Sequence, residues 1–323
     1  MIKQLQQQVE EKLAEINWNI EPLGLYQPID YVLSLGGKRI RPVLTLLACK
    51  LFSGNEKPAV PAALAIEVFH NFTLLHDDVM DRADTRRGMP TVHKKWNDNT
   101  AILSGDAMLI KAYQFLQQVS ADKLPSLLPL FSQTAVEVCE GQQYDVDFES
   151  NLAVTLPQYL EMIRLKTAVL LAAGLKMGAI IGGATEQDAQ ALYDYGINLG
   201  LAFQLRDDYL DSFGDAAVFG KKIGGDICCN KKTFLMITAL QQAKAEDLQA
   251  LQTWMGCNDA NRFEEKVQSV LAIYRKLKVD TLCEEAIHNY FTKSVGSLEN
   301  IQLSEDKKDI LIKFANDLMG RTK

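Results

Sequence analysis

The chain has 323 residues, 47% hydrophobic and 23% charged, with a formal net charge of −7. That length suits one large domain or two modest ones, and the composition is ordinary for a globular protein. The acidic balance, with no offsetting basic block, argues against non-specific nucleic-acid binding.

The opening MIKQLQQQVEEKL is too polar for a secretory signal. The apolar run 168–184 is shorter than the ~20 residues a span needs and carries Lys176. It reads as a buried helix, and no membrane span is expected. Six cysteines without metal-ligand spacing suit a reduced, cytoplasmic interior.

Helical periodicity dominates, with no convincing strand pattern. Ile2, Leu5, Val9, Leu13 and Ile16 make one stripe of a first helix. Pro28 suits the first turn of a second, which Gly36 and Gly37 close. GGKRIRP follows, with Pro42 in the opening turn of an apolar helix. Lys38 and Arg41 there oppose the helix dipole. A bound anion would compensate that cost, although a plain surface cluster fits too.

The next helix, from Pro61, is apolar almost all round and belongs in a core. It ends in Asp77, Asp78 and Asp81, with His70 two turns earlier. Such a string is usually a solvated face; on an apolar helix it suits a divalent metal and phosphate. Arg86 and Arg87 add phosphate-recognising chemistry, in a loop broken by Gly88 and Pro90 that also carries His93. Helices are expected over about 97–119, where Gly105 permits close packing, and 124–143, ending in GQQYDVDF. Gln142 and Asp145 there suit either a metal's surroundings or a polar helix end. Pro157 opens a helix running through Arg164, Lys166 and Thr167.

A helix over 186–211 repeats the first pattern, with Asp207, Asp208 and Asp211 closing FQLRDDYLD. Gly196 and Gly200 form a small-residue stripe on it. The loop after it interleaves Lys221, Lys222, Lys231 and Lys232 with glycines, which suits a pyrophosphate but lacks nucleotide-loop spacing. The helices beyond 234 look like scaffold.

GGKRIRP, HDDVMD with RRG, KT at 166–167, FQLRDDYLD, GKKIGGD and NKKT stand in an order that resembles the trans-isoprenyl diphosphate synthases over nearly the whole chain. The resemblance implies a single all-α domain over 1–323, an antiparallel helix bundle around a deep central cavity. It also implies a homodimer, with the two aspartate clusters facing across the cavity mouth. By the same resemblance Asp77, Asp81, Asp207 and Asp211 bind Mg²⁺, three ions with the allylic diphosphate, and Asp78 and Asp208 complete the catalytic clusters. Arg86, Lys166, Lys231 and a lysine of the Gly-rich loop hold that diphosphate. Lys222 keeps the spacing to IGGD and Lys221 the spacing to the preceding glycine. Gly37, Lys38, Arg41, His70 and Arg87 belong to the isopentenyl diphosphate site, and Thr167 and Gln204 line the developing cation.

The residue types fit that reaction. Diphosphate leaves only if its charge is neutralised, and the carbocation left behind needs a dry apolar cavity. A class I terpene cyclase would carry a differently composed second metal motif. A non-catalytic partner subunit would tend to lose one aspartate cluster. The resemblance implies that product length is set at Phe72 and Thr73, the fifth and fourth residues before Asp77, and the helix rise puts Phe72 roughly 7.5 Å along the axis. A bulky Phe72 and an uninterrupted DDVMD resemble the archaeal geranylgeranyl type, so C20 is expected, with C15 the alternative. Phe72 as ordinary core is the competing reading.

Overall fold

Apolar side chains recur every three or four residues along most of this chain, and helices form accordingly. The computed structural model describes residues 1–151, 153–214, 223–257 and 259–320. Its helices are α1 (Ile2–Ala14), α2 (Leu23–Ser34), α3 (Ile40–Ser53), α4 (Val60–Met80), α5 (Val92–Lys95), α6 (Asp98–Leu116), α7 (Leu124–Ser150) and α8 (Leu156–Ile163). Then come α9 (Val169–Ile181), α10 (Glu186–Phe213), a short α11 (Gly225–Cys228), α12 (Phe234–Gln242), α13 (Glu246–Met255), α14 (Phe263–Lys276), α15 (Val279–Gly296) and α16 (Glu305–Met319). The fold is all-α.

Two compact units emerge, Met1–Thr134 with Leu170–Tyr193, and Ala135–Val169 with Asp194–Lys323. In the first, α4 is the core helix: Ala62, Ala65, Ile66, Val68 and Phe69 are buried. Lys57–Met80 is long and apolar enough to cross a membrane by composition alone, yet 67% of its most apolar window is buried inside the protein. That is how a core helix behaves. α9 approaches α3 so closely that a Cβ on Gly178 would stand 2.1 Å from the Thr45 carbonyl oxygen. In the second unit Tyr159, Leu205, Leu235, Leu251, Tyr274 and Cys283 share one core. Each buried leucine there contributes about 1.5–3 kcal/mol by leaving water.

Four local features depart from the sequence reading. Pro28 is inside α2 rather than in its first turn, because the helix already starts at Leu23 behind Pro22. Pro28 therefore lacks the N–H that would bond to the Gly24 carbonyl. α7 continues to Ser150, so Gln142 and Asp145 stand within a helix rather than at its end. A two-residue β-pair, β1 (Thr85–Arg86) and β2 (Met89–Pro90), carries the arginines. And between α8 and α9 the chain makes a π-helical turn, Arg164–Ala168.

Candidate active site

The aspartates closing α4 and the cations opening α3 stand where a helix dipole disfavours them. Asp77 and Asp78 occupy the last turn of α4 and Asp81 its C-cap, where carboxylates face the negative end. Lys38, Arg39 and Arg41 crowd the positive end of α3. Misplaced charge of this kind needs partners of opposite sign.

Arg86 is one such partner in the first unit. Its Nε donates to both Asp78 oxygens at 2.9 Å, and Nη2 lies 2.7 Å from Asp78 Oδ1 and 3.8 Å from Asp77 Oδ2. Asp78 is buried, whereas Asp81 is exposed and Asp77 partly so. The middle aspartate thus holds an arginine, while Asp77 is only partly covered and Asp81 is exposed.

The β1–β2 turn places Arg87. Its central residues, Arg87 and Gly88, have φ of 54° and 77°, the signs of a type I′ hairpin. A non-glycine residue held there costs on the order of 1–3 kcal/mol, and neighbours must enforce it. The Arg87 guanidinium donates to the Gly36 carbonyl. It sits so close to Gly37 (φ 143°) that a Cβ there would meet it at 2.9 Å. Tyr31 donates its hydroxyl to the Pro90 carbonyl at 2.7 Å and anchors the same loop.

Arg41 Nη1 lies 3.3 Å from His70 Nε2. Burial, then the cations of Arg41, Arg87, Arg86 and Arg39, hold His70 well below the usual imidazole range, so the ring is neutral at neutral pH. Burial likewise pulls the Arg41 and Arg87 guanidinium groups down from their ordinary values. Arg41 Nε is buried with no acceptor. Depressed cations around an orphaned donor are a site that an anion would relieve. Lys38 is exposed beside it in sequence.

In the second unit the π-turn carries Lys166 and Thr167. Such turns recur at functional sites because they re-aim side chains. α7 presses against this one: a Cβ on Gly141 would stand 2.3 Å from the Lys166 backbone nitrogen. Lys166 Nζ is 2.5 Å from Asp145 Oδ2. Thr167 donates to Gln204 Oε1 at 3.1 Å, and Gln204 donates to Asp208 Oδ1 at 3.0 Å. Tyr159 donates its hydroxyl to the other Asp208 oxygen. Burial above all pushes Asp208 up to about 6. The pattern of the first cluster repeats: Asp208 is buried and tied to protein groups, while Asp207 is exposed.

Asp211 Oδ2 accepts the Asp226 backbone N–H at 3.0 Å. Lys231 Nζ lies 4.0 Å from Asp226 Oδ1. Burial lowers the Lys231 ammonium, but Asp226, Asp208, Asp145 and Asp207 outweigh it and raise it above its ordinary value. Lys232 does something else: it is buried and donates to the Glu149 carbonyl at 3.0 Å. Lys221 and Lys222 lie outside the described residues.

Among the described residues no three carboxylates, imidazoles or thiols converge as a ready-made metal cage. The donor set still fits Mg²⁺, which keeps its waters and takes one or two carboxylates plus substrate phosphate. Sequence reasoning assigned no role to Asp226, although GGD signalled it, and none to Tyr159, which no local pattern marks. Arg39, Glu67 and Asn71 were missed as well.

Residues 23–274 match the family described as polyprenyl synthetase. The geranylgeranyl diphosphate synthase of Methanosarcina mazei is 42% identical over 249 residues, 76% of this chain and 77% of that one. The geranylfarnesyl diphosphate synthase of Natronomonas pharaonis is 39% identical over 240 residues, covering 69% and 70%. A crystal structure of a geranylgeranyl pyrophosphate synthase is 47% identical, with a TM-score of 0.95, over 100% of this chain and 99% of that chain. The geranylgeranyl pyrophosphate synthase of Corynebacterium glutamicum, solved with isoprenyl diphosphate and magnesium, is 28% identical, with a TM-score of 0.84, over 99% and 96%.

Proposed function

Because the chain belongs to the polyprenyl synthetase family, we propose that it joins isopentenyl diphosphate head-to-tail to allylic diphosphates and stops at geranylgeranyl diphosphate. The observation that carries this reading is the cationic group of the first unit. Arg41 Nε is a buried donor without an acceptor, beside a neutral His70 and a strained Arg87. A diphosphate supplies the missing acceptors, with Lys38 as a further cation.

Asp77 and Asp81, and Asp207 and Asp211, would hold three Mg²⁺ with the allylic diphosphate and neutralise it as it leaves. Arg86, Lys166, Lys231 and a lysine of the Gly-rich loop bind the same diphosphate. Asp145 holds the Lys166 ammonium until the phosphate oxygens compete for it. Asp78 and Asp208 keep Arg86 and Gln204 in place. The Thr167–Gln204 pair turns oxygen dipoles toward the allylic cation, whose positive charge they stabilise. The isopentenyl double bond then attacks, and the released diphosphate accepts the proton.

The cationic group and the first aspartate cluster belong to one unit, and the second cluster and Lys166 and Lys231 to the other. On this reading the whole chain acts as one catalytic domain. A homodimer is part of the reading: Leu103 and Ile110, two turns apart on α6, are 59% and 58% exposed. A cytoplasmic location suits the six free cysteines.

Incubating the purified chain with isopentenyl diphosphate, dimethylallyl or geranyl diphosphate and Mg²⁺ tests the proposal. A metal-dependent C20 product is expected. Turnover without metal, or a cyclic hydrocarbon as the sole product, refutes the reaction; a C15 or C25 end product refutes the length alone.

A further inference from the structure

Lys38, Arg39 and Arg41 are near neighbours in sequence, but Arg39 turns away from the other two. Its φ is 48°, in the left-handed region, and its side chain is 1% exposed. Nε donates to Glu10 Oε1 at 2.8 Å and Nη2 to Glu10 Oε2 at 3.2 Å. Nη1 donates to Glu67 Oε1 at 2.6 Å, and Nη2 to the Leu33 carbonyl at 2.7 Å. Glu67 is buried too, and the same Oε1 accepts from Asn71 Nδ2 at 2.9 Å. One guanidinium thus ties α1, the end of α2 and the middle of α4 to the residue that starts α3.

Stability is a poor reason for such a pair. Two buried charges lose about as much in desolvation as they gain in attraction, and apolar replacements are often neutral. What the network does supply is geometry. A non-glycine residue in the left-handed region persists only when its surroundings over-determine it. Here they do, and Lys38 just before it and Arg41 two residues after it are cations of the proposed isopentenyl diphosphate site. Glu67 also lies one turn before His70 on α4, and its charge offsets the repulsion among Arg39, Arg41 and Arg87.

We propose that Arg39 and Glu67 are a positioning pair, which fixes Lys38 and Arg41 in the attitude that the diphosphate of the non-allylic substrate requires. The pair touches no substrate. This inference rests on the proposed function, since it assumes which diphosphate the Lys38–Arg41 side receives.

The test uses the full chain with Mg²⁺, isopentenyl diphosphate and geranyl diphosphate. Arg39→Met leaves the buried Glu67 carboxylate with Asn71 alone, and Glu67→Gln leaves Arg39 with the half-exposed Glu10 as its one remaining hydrogen-bonded carboxylate, so both are expected to melt early. The double variant Arg39→Met/Glu67→Met removes both charges together and is expected to melt close to wild type. In the double variant the KM for isopentenyl diphosphate should rise about tenfold or more, the effect of about 1.4 kcal/mol. The KM for geranyl diphosphate should stay within about twofold, as should kcat at saturating isopentenyl diphosphate. A folded double variant with an unshifted isopentenyl KM overturns the proposal, as does an equal rise in both KM values. Wild-type chain that condenses nothing overturns the functional reading itself, which keeps the two failures apart.

Discussion

Asp77 and Asp78 are adjacent in sequence, yet the structure gives them opposite duties. The Asp78 side chain is 5% exposed and takes Arg86 Nε on both oxygens at 2.9 Å. Asp77, at 17%, has Arg86 only at 3.8 Å. Asp78→Asn keeps the shape but removes the charge, and its amide must turn a donor toward another donor. A hydrogen bond to a charged group contributes about 1.5–3 kcal/mol, so a loss of about 2 kcal/mol is expected. At roughly 2 °C per kcal/mol for a chain of this size, the melting temperature should fall by about 4 °C. Arg86 would still reach its substrate from a looser position, so kcat should fall about tenfold. Asp77→Asn should do the reverse. It should barely move the melting temperature but lower kcat by about 10²–10³-fold, the range found when one transition-state electrostatic partner is lost. Thermal melting beside steady-state kinetics on both variants decides this. If Asp78→Asn melts like wild type and loses as much kcat as Asp77→Asn, the assignment of duties is wrong.

Three further outcomes follow from particular side chains. His70 titrates below its unfolded value of about 6.5, so the unfolded chain takes up that proton first. The stability tied to its neutral ring is whole above that value and is lost as pH falls through the folded value, by up to about 1.4 kcal/mol per pH unit. Between about pH 6.5 and 5, wild type should lose melting temperature faster than His70→Gln; parallel curves would contradict the burial of a neutral ring. Lys232→Met should destabilise the fold with little change in kcat, because its ammonium serves the Glu149 carbonyl, whereas Lys231→Ala should lower kcat strongly, besides the melting temperature lost when Asp226 and Asp208 lose its charge. The converse result would exchange their roles. Phe72 is 8% exposed and meets Phe69 and His76 edge-on at 5.4 and 4.9 Å between ring centroids. Phe72→Ala should lengthen the product while costing about 3–5 kcal/mol of stability, and an unchanged product with that cost would make Phe72 core alone.

Much of this was legible because its cause is local. Apolar spacing marks α4 as a core helix, and Pro61 near its start and Asp81 at its end can be read from the string. The wrong-signed charges at the ends of α3, α4 and α10 also stand out in sequence, since a helix dipole needs no tertiary knowledge. The ordered motifs carried the family, and the resemblance set Asp77 and Asp81 apart from Asp78 as the expected metal ligands.

Other features depend on groups far apart in the chain. Arg39 and Arg41 are two positions apart and chemically alike, but one pairs with Glu10 and Glu67 and the other reaches His70. No pattern of seven residues says which carboxylate a guanidinium will find 29 positions away. The same holds for Tyr159, which meets Asp208 across 49 residues of chain, and for Lys231 and Lys232, neighbours that part company at the Glu149 carbonyl. That a stretch is helical, and which charges its dipole disfavours, follows from residues within a turn of each other and is set by the sequence alone, whereas the start of α2 and the end of α7 were not. Which of two like charges is buried, and beside what, is decided by desolvation and pairing in the packed chain, and only the tertiary structure sets those terms.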